Sequence, residues 1–417
     1  MLKKLFHGML IYAVGDMVVT GVTGFILLPV YTKFLSKAGY ATYSIVMTNT
    51  TLMTFICHFG ITSAFSRLYF EYSRQNKTND YLSTIFIGHT TYSLVLFLLF
   101  FLLGEPFWQL ISPQTAAFPF LPIALALAFF SFIPGLFSLL LRIQEKAHLF
   151  VVFQLVSVIL IVCSTFYSLV YMQGNIETML SNLVVANSFI WFISVILISR
   201  RFRFTVKFNY ILNTLNFAWP ILLSYLAYFL LNKYGLIFLQ RYETLEQISY
   251  YTFAQQVSLI LIIAGNSFGK VVQPMIYSQE SINLTHLKKI IFYYRILLSF
   301  IALALMASAG PVIELLGSSK YQKSKYIFFI FIAANYIYLF PLIESFILMY
   351  YKRSKQIMFT TMGGALLTSI VGMYYIPLYG ILAGAVALLV GNLFIAIVNI
   401  YTTKKLLHKE HLQWLAR

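Results

Sequence analysis

The sequence predicts an all-α integral membrane protein with twelve transmembrane helices in two related six-helix lobes. Of its 417 residues, 60% are hydrophobic and only 10% are charged, whereas a soluble domain carries about 25% charged residues. The apolar runs last about 20 residues, which is the length of a spanning helix and too long for a barrel strand. Because a spanning segment must satisfy its own backbone hydrogen bonds, these runs predict helices.

The first segment begins with the basic lead "MLKKLFHGMLIYAVG", which has the character of a signal peptide. Its apolar run continues through Asp16 to about Thr32 without a small-residue cleavage site, so we interpret it as an uncleaved first helix. Short loops connect it to the segments that follow. The twelve predicted segments are 8–32, 41–66, 82–103, 117–141, 148–171, 178–199, 211–239, 247–276, 289–309, 326–350, 356–376 and 380–402.

The basic residues predict the orientation. With both termini in the cytoplasm, the cytoplasmic segments hold 21 of the 29 Lys and Arg residues and the outer loops hold 6, as the positive-inside rule requires. The same bias accounts for the net charge of +17, so the charge is no evidence for a nucleic-acid-binding protein. The densest basic cluster, "SRRFRFTVK", separates segments six and seven. We therefore expect an N-terminal lobe of residues 1–203 and a C-terminal lobe of residues 204–417.

The two halves contain matching residues at a nearly constant offset of 208–210 positions. An even number of helices in each half would relate two such repeats by an axis along the membrane normal. Each match lies around the first outer loop or along the second helix of its half. The matches are Lys33 with Arg241, Tyr40 with Tyr250, Thr42 with Thr252, and "HFG" (58–60) with "SFG" (267–269).

Polar residues follow one face of segments one, two, seven and eight, where contact with lipid would be costly. Each face alone is consistent with hydrogen bonding between packed helices. Four faces at equivalent positions of the two halves favour a polar cavity. The stripes comprise Tyr12, Asp16, Thr20 and Thr23; Ser44, Thr48, Thr51, His58, Thr62 and Ser66; Ser224, Tyr228, Asn232 and the adjacent Lys233; and Thr252, Gln255, Asn266, Lys270 and Gln273.

From these stripes we select candidate substrate-binding and ion-coupling residues. Lys233 either snorkels to the outer surface or lines a wet cavity, and Lys270 is either a cavity cation or an ordinary cytoplasmic charge. Asp16 and His58 are candidates for ion coupling, with a structural ion pair and a packing histidine as the alternatives. The candidate substrate-binding residues are Lys233, Lys270, Asn232, Tyr228, Thr48, Asn266 and Gln255.

Other charged and reactive residues favour structural roles. Arg295 and Glu344 are expected to form an interhelical ion pair. "GNSFGK" (265–270) lacks one spacer residue and the final Ser/Thr of a P-loop, while Cys57 and Cys163 lie inside apolar runs, which disfavours a disulfide or zinc site. The sequence thus predicts neither an enzyme nor a cofactor, and any transport would depend on an ion gradient or a partner.

Three segments resemble the polysaccharide transporters of the multidrug/oligosaccharidyl-lipid/polysaccharide (MOP) exporter superfamily, the Wzx-type flippases. They are "LLPVYTKFLSKAGYATYS" (27–44), "FGITSAFSRLYFEYSR" (59–74) and "LLLRIQEKAHLF" (139–150). The chain departs from that pattern with Lys33, where Arg is expected, and with Ser249, where the second half would repeat Gly39.

The resemblance implies a MATE-like pair of lobes around a central cavity formed by helices one, two, seven and eight. It also implies that a polyprenyl-diphosphate-linked oligosaccharide crosses the bacterial cytoplasmic membrane by alternating access, for O-antigen, capsule or another surface polysaccharide. Cations in a low-dielectric cavity suit a diphosphate. The implied partners are the lipid-linked oligosaccharide, membrane lipids, a polysaccharide polymerase and chain-length proteins.

Three other functions compete. A MATE-like ion-coupled drug or cation antiporter needs carboxylates in its cavity. The predicted cavity has one clear carboxylate, Asp16, and two lysines, Lys233 and Lys270, which favours an anionic substrate. A lipid II flippase usually has two further helices, and a polymerase or ligase needs a large outer loop that this sequence lacks. The glycan, the coupling ion and the oligomeric state stay open.

The outer loop between segments one and two carries basic residues against the general charge bias. Lys33 and Lys37 lie on this predicted outer side, and Arg241 occupies the matching loop between segments seven and eight. We expect Lys33 and Arg241 to rim the outward mouth, where a departing diphosphate would pass. A simple solvated turn is the alternative, and it applies more strongly to Lys37.

Overall fold

The computed structural model describes residues 21–199, 205–277 and 284–415, and these residues are helical apart from short connections. Brief π-helical or 3₁₀ turns cover Val22–Ile26, Tyr167–Tyr171 and Ser319–Ser324. We number the α-helices in chain order: α1 Leu27–Phe34, α2 Lys37–His58, α3 Ile61–Arg74, α4 Thr78–Leu103, α5 Glu105–Ile111, α6 Ala117–Ile143, α7 Ala147–Phe166, α8 Ile176–Ser199, α9 Phe208–Leu239, α10 Leu245–Tyr277, α11 Leu284–Ala307, α12 Ala309–Gly317, α13 Lys325–Leu339, α14 Leu342–Tyr350 and α15 Ser354–Leu415.

Ten helical segments in the described residues are long and apolar enough to cross a membrane. The longest, Ser354–His408, has 55 residues, or about 80 Å at the rise of an α-helix, enough for two crossings. Its backbone breaks at Gly380, where φ is 57° and ψ is −135°. The two halves then pack side by side, since a Cβ on Gly364 would lie 2.7 Å from Ile395 Cδ1.

α15 is therefore a helical hairpin in which the predicted segments eleven and twelve run antiparallel. The predicted first segment is described only in its second part, where an apolar helix covers Gly24–Phe34. Residues 1–20 lie outside the described residues. The protein is a multi-pass helical membrane protein, and the count of twelve spans stays a prediction.

The predicted segment two, 41–66, lies within one candidate membrane span, Lys37–Arg74, but the prediction of a single uninterrupted helix is wrong. The chain breaks between α2 and α3, where Phe59 and Gly60 adopt φ values of 48° and 70°. A Cβ on Gly60 would lie 2.8 Å from the carbonyl oxygen of Ala218 on α9. Glycine is needed here for both reasons, because it tolerates positive φ and allows close approach of a neighbouring backbone.

The turn between α1 and α2 is short. Only Leu35 and Ser36 separate the two helices, and the Ser36 side chain caps α2 by accepting a hydrogen bond of 3.0 Å from the Gly39 backbone N–H. An N-cap serine satisfies a donor that would otherwise lack a partner. The cap explains why α2 can begin only two residues after the end of α1.

The chain forms two compact units, Met1–Leu226 and Ala227–Arg417. The predicted boundary at residues 203 and 204 lies outside the described residues. α9 begins in the first unit and ends in the second. In the first unit, the start of α9 packs into an aromatic cluster, where the Tyr72 ring lies 4.5 Å from both Tyr81 and Tyr210. Lys207 supports the same contact with a 2.7 Å ion pair to Asp80 on α4, and this hydrogen bond raises the pKa of Lys207.

Buried amide side chains connect three helices of the second unit. Asn335 Nδ2 on α13 donates to Ser258 Oγ on α10 at 2.9 Å, and Asn392 Nδ2 on α15 donates to the Ala334 carbonyl oxygen at 3.0 Å. Polar side chains often join packed helices in this way inside a membrane. They fix α13 between α10 and α15.

Glycine contacts within the α15 hairpin give a prediction about stability. A Cβ on Gly391 would lie 2.7 Å from the Gly364 carbonyl oxygen and closer still to the Thr368 hydroxyl. Gly391→Ala should therefore destabilise the protein by about 1–3 kcal/mol through overpacking, which thermal unfolding of the purified protein in detergent would measure.

Gly310→Ala provides the matched control in the same unit, because a Cβ at Gly310 meets nothing within 4 Å. It should leave the unfolding temperature unchanged or raise it slightly, since alanine restricts the unfolded chain. Equal unfolding temperatures for the two variants would contradict the close packing of the hairpin.

Candidate functional site

Lys233 lies on the last part of α9, inside a membrane-spanning segment. It precedes the helix end at Leu239 by six residues, which corresponds to about 9 Å along the axis. Within the described residues, its ammonium group has one polar contact, a hydrogen bond of 3.4 Å to Gln255 Oε1 on α10. An amide oxygen carries only a partial charge, so the cation stays electrically uncompensated by this contact.

Gln255 is held so that its oxygen faces Lys233. The Gln255 side chain is buried, and its Nε2 donates a hydrogen bond of 3.0 Å to the Asn232 carbonyl oxygen. The amide can therefore offer only Oε1 as an acceptor on the Lys233 side. Asn232 Nδ2 in turn donates to the carbonyl oxygen of Tyr228, one helical turn earlier.

Tyr228 completes this group. Tyr228 is 43% exposed as a whole residue, and its ring lies 6.5 Å, centroid to centroid, from the ring of Tyr338 on α13. Hydrogen bonds thus connect four predicted residues of the second unit on α9 and α10: Lys233 and Gln255 through their side chains, and Asn232 and Tyr228 through the backbone carbonyl oxygens that accept from Gln255 and Asn232. We call these four residues the Lys233 cluster.

Two other predicted residues on α10 are separated from the Lys233 cluster. Asn266 and Lys270 follow Gln255 by 11 and 15 residues on the same helix, or about 16 and 22 Å. Both are exposed. The regular spacing in sequence placed them on a related face, but the length of the helix puts them at another depth.

The remaining predicted residues lie in several places. Thr48 is buried on α2 of the first unit. Lys33 is exposed in the last turn of α1, with its Nζ 5.6 Å from the Phe34 ring centroid, and Arg241 is exposed just after α9. Asp16 lies outside the described residues. Roles at the outer rim and in ion coupling stay predictions.

His58 makes the contacts of a packed histidine. Its Nε2 lies 3.1 Å from Ser131 Oγ, and that hydroxyl donates to the Ala128 carbonyl oxygen. His58 is therefore the donor in its bond to Ser131. A second buried histidine, His89, lies 5.8 Å away between ring centroids and stacks on Phe132.

The sequence interpretation missed His89 and Tyr338. A sequence signal for His89 exists, because His89 and Ser93 are four residues apart in the apolar α4 and so lie on one helix face. In the structure their side chains are hydrogen-bonded. Tyr338 had no comparable signal in a chain with 30 tyrosines. Only packing of α13 near α9 distinguishes it.

A second helix-embedded cation, Arg295, has a carboxylate partner. Arg295 Nη2 on α11 is hydrogen-bonded to Glu344 Oε1 on α14, and the Glu344 side chain is 8% exposed. This confirms the predicted interhelical ion pair. Glu344 is the one Asp or Glu among the described residues whose side chain is buried. Arg295 therefore already neutralises the buried negative charge of the second unit.

Solved structures of two membrane proteins share the fold of this chain. An inward-closed structure of the lipid II flippase MurJ matches with a TM-score of 0.75 and 17% identity, covering 96% of this chain and 86% of that one. An inward-facing MATE multidrug transporter of the MOP superfamily matches with a TM-score of 0.68 and 14% identity, covering 95% and 97%. The protein therefore has the MOP transporter fold.

The family follows from the sequence comparison. A model of the family described as polysaccharide biosynthesis protein matches residues 5–279, well over half of the chain, and the chain belongs to that family. A protein of the Lsg locus of Haemophilus influenzae is 23% identical over 367 residues, which cover 85% of this chain and 87% of that protein. The resemblance to polysaccharide transporters of the MOP superfamily is thereby confirmed.

The two cations should respond differently to substitution. Glu344→Leu removes one partner of a buried ion pair and leaves Arg295 uncompensated, which should cost about 3–5 kcal/mol. Lys233→Met removes a cation that has no carboxylate partner in the described residues, and should leave stability unchanged or increase it. Thermal unfolding of the purified variants measures both effects.

The double variant Arg295→Met with Glu344→Leu serves as the control for the ion pair. It should recover most of the stability lost in Glu344→Leu, because no buried charge is left alone. A large loss of stability in Lys233→Met would instead assign Lys233 a structural role.

Proposed function

We propose that the protein is a flippase that moves a polyprenyl-diphosphate-linked oligosaccharide from the cytoplasmic to the outer leaflet during synthesis of a surface polysaccharide. One observation carries the proposal: a lysine inside a membrane-spanning helix whose contact in the described residues is an amide and not a carboxylate. Placing such a charge there is costly, and an anionic substrate supplies the missing partner. Family membership supports the link to polysaccharide biosynthesis.

The Lys233 cluster has groups for each part of the head group. The ammonium of Lys233 can bind a phosphate oxygen by a charge-assisted hydrogen bond, which is stronger in a low-dielectric site than in water. Tyr228 and Asn232 offer hydroxyl and amide groups suited to sugar hydroxyls. The polyprenyl chain can stay in lipid, so the cluster binds only the polar head.

Transport by this route would follow alternating access to a central cationic cavity, as in secondary transporters built from two repeats. Lys233 releases its ligand when the cavity opens to the outside, where water screens the charge. The proposed location is the bacterial cytoplasmic membrane, with a polysaccharide polymerase and chain-length proteins as partners that take up the product.

A MATE-like ion-coupled drug or cation antiporter is the second candidate, because the fold is shared with MATE transporters. Binding a cationic drug calls for an available carboxylate. Of the described residues, the buried carboxylate is Glu344, which Arg295 already pairs, and the described part of the chain therefore favours an anionic substrate. Asp16 is the residue through which the antiporter hypothesis is best tested.

Substitution of Lys233 tests the proposed function. In proteoliposomes with a fluorescent polyprenyl-diphosphate oligosaccharide, Lys233→Met should lower the flipping rate at least tenfold, because a charge-assisted hydrogen bond contributes about 1.5–3 kcal/mol. Lys233→Arg should retain part of the rate. Surface polysaccharide in cells that carry each variant provides the second measurement.

Lys320→Met is the matched control, since Lys320 is an exposed lysine of the same unit, in the 3₁₀ turn Ser319–Ser324 that precedes α13. It should flip at the wild-type rate. If Lys233→Met also flips normally, the cationic site is refuted. If it flips normally and Asp16→Asn abolishes efflux of a cationic dye, the antiporter is the better assignment.

A further inference from the structure

A groove of about 950 Å³ runs along the outside of α11 in the second unit, independent of the Lys233 cluster. Its walls come from α11 on one side and from α13, α14 and α15 on the other. Apolar side chains line both walls, and those of Phe292, Phe300 and Leu303 are mostly exposed in the structure. A groove with this lining suits hydrocarbon chains.

Two lysines mark one end of the groove. Lys288 lies near the start of α11 and Lys404 near the end of α15, and both are exposed lining residues. Within the part of the chain that the structure describes, neither ammonium group forms a hydrogen bond or an ion pair. Both lie at the predicted cytoplasmic end, where the leaflet carries anionic lipids that attract basic residues.

Arg295 lies deeper in the same groove, seven residues or about 10 Å along α11 from Lys288. Although it pairs with Glu344, its side chain stays 28% exposed. The buried Nε of Arg295 and Oε2 of Glu344 have no hydrogen-bond partner. The ion pair is therefore incompletely satisfied, and Lys404 interacts electrostatically with the Glu344 carboxylate from α15.

Along α11 the groove passes from Lys288 through Arg295 to the apolar residues Phe300 and Leu303, which matches the order of phosphate, ester carbonyls and acyl chains in a glycerophospholipid. We propose that the groove binds one anionic glycerophospholipid from the cytoplasmic leaflet. Lys288 and Lys404 bind its phosphate, Arg295 faces the ester carbonyls, and the two acyl chains lie against the apolar walls beyond Arg295. Three cations against the single carboxylate of Glu344 give the lining the positive charge that an anionic head group requires.

Lipid binding to the full-length protein tests this proposal. Dioleoylphosphatidylglycerol and dioleoylphosphatidylcholine would be added to the detergent-purified protein, with retained lipid counted by native mass spectrometry and affinity taken from the shift in unfolding temperature. Lys288→Ala with Lys404→Ala should weaken phosphatidylglycerol binding roughly 10- to 30-fold and leave the weak binding of phosphatidylcholine unchanged.

The matched control is Lys289→Ala with Lys405→Ala. These two lysines are exposed and are the sequence neighbours of the groove lysines, but they do not line the groove. The control therefore removes the same number of charges from the same parts of α11 and α15. Phosphatidylglycerol should bind this variant as it binds the wild type. An equal loss in both double variants would overturn the proposal, because it would reflect general surface charge.

A second pair of variants tests the acyl-chain part of the groove. Ile296→Trp fills the groove, whereas Leu297→Trp adds the same bulk at the next exposed position outside it. Only the first should displace phosphatidylglycerol. If a polyprenyl diphosphate binds the wild-type protein, is displaced by Ile296→Trp, and phosphatidylglycerol does not bind, the groove accepts the carrier lipid and the phospholipid proposal is wrong.

The result is separable from the proposed transport function. Lys233→Met should bind phosphatidylglycerol normally, since Lys233 does not line this groove. Loss of flipping in Lys233→Met with normal lipid binding would support both proposals. Normal lipid binding by the Lys288→Ala and Lys404→Ala double variant would refute the lipid site alone.

Discussion

The need to satisfy backbone hydrogen bonds without water governs this structure. A chain with 10% charged residues cannot cover its surface in water, and in lipid each exposed peptide group would cost several kcal/mol. Helices satisfy those groups within one segment, so the fold is built from spanning helices. The places where a helix breaks, or where a polar side chain enters it, are therefore the informative ones.

The breaks are supported by glycine and by close packing. At Gly60 the chain leaves the helical conformation next to the α9 backbone, and at Gly380 it reverses to form the α15 hairpin. In the predicted sequence repeat Gly269 corresponds to Gly60, yet α10 continues through it without a break. A Cβ on Gly269 would lie 2.9 Å from a Leu342 side-chain carbon. The two halves thus retain a small residue for close approach but use it differently.

The charges inside the helices show two ways in which a membrane protein accommodates a cation. Arg295 has a carboxylate partner on another helix, which makes the pair a structural element with a small net charge. Lys233 has an amide partner that is itself fixed by the α9 backbone. The second arrangement holds the lysine in place without neutralising its charge, and this is the feature on which the proposed anion site rests.

The sequence alone determined the helical membrane class, the approximate positions of most of the spanning segments that the structure describes, the Arg295–Glu344 pair and the family. These follow from long apolar runs and from motifs, which depend on local composition. It also identified Lys233, Asn232, Tyr228 and Gln255 as candidates, because a polar residue is conspicuous in an apolar helix.

Only the tertiary structure decided which candidates meet. The spacing along α10 already separates Asn266 and Lys270 from Gln255 by several turns. Helical periodicity does not specify which residue of another helix lies beside Gln255, and only the packing of α9 against α10 places Lys233 there. The break at Phe59 and Gly60 depends on contact with α9, and the role of Tyr338 depends on the packing of α13. Such contacts join residues far apart in sequence, and no local pattern encodes them.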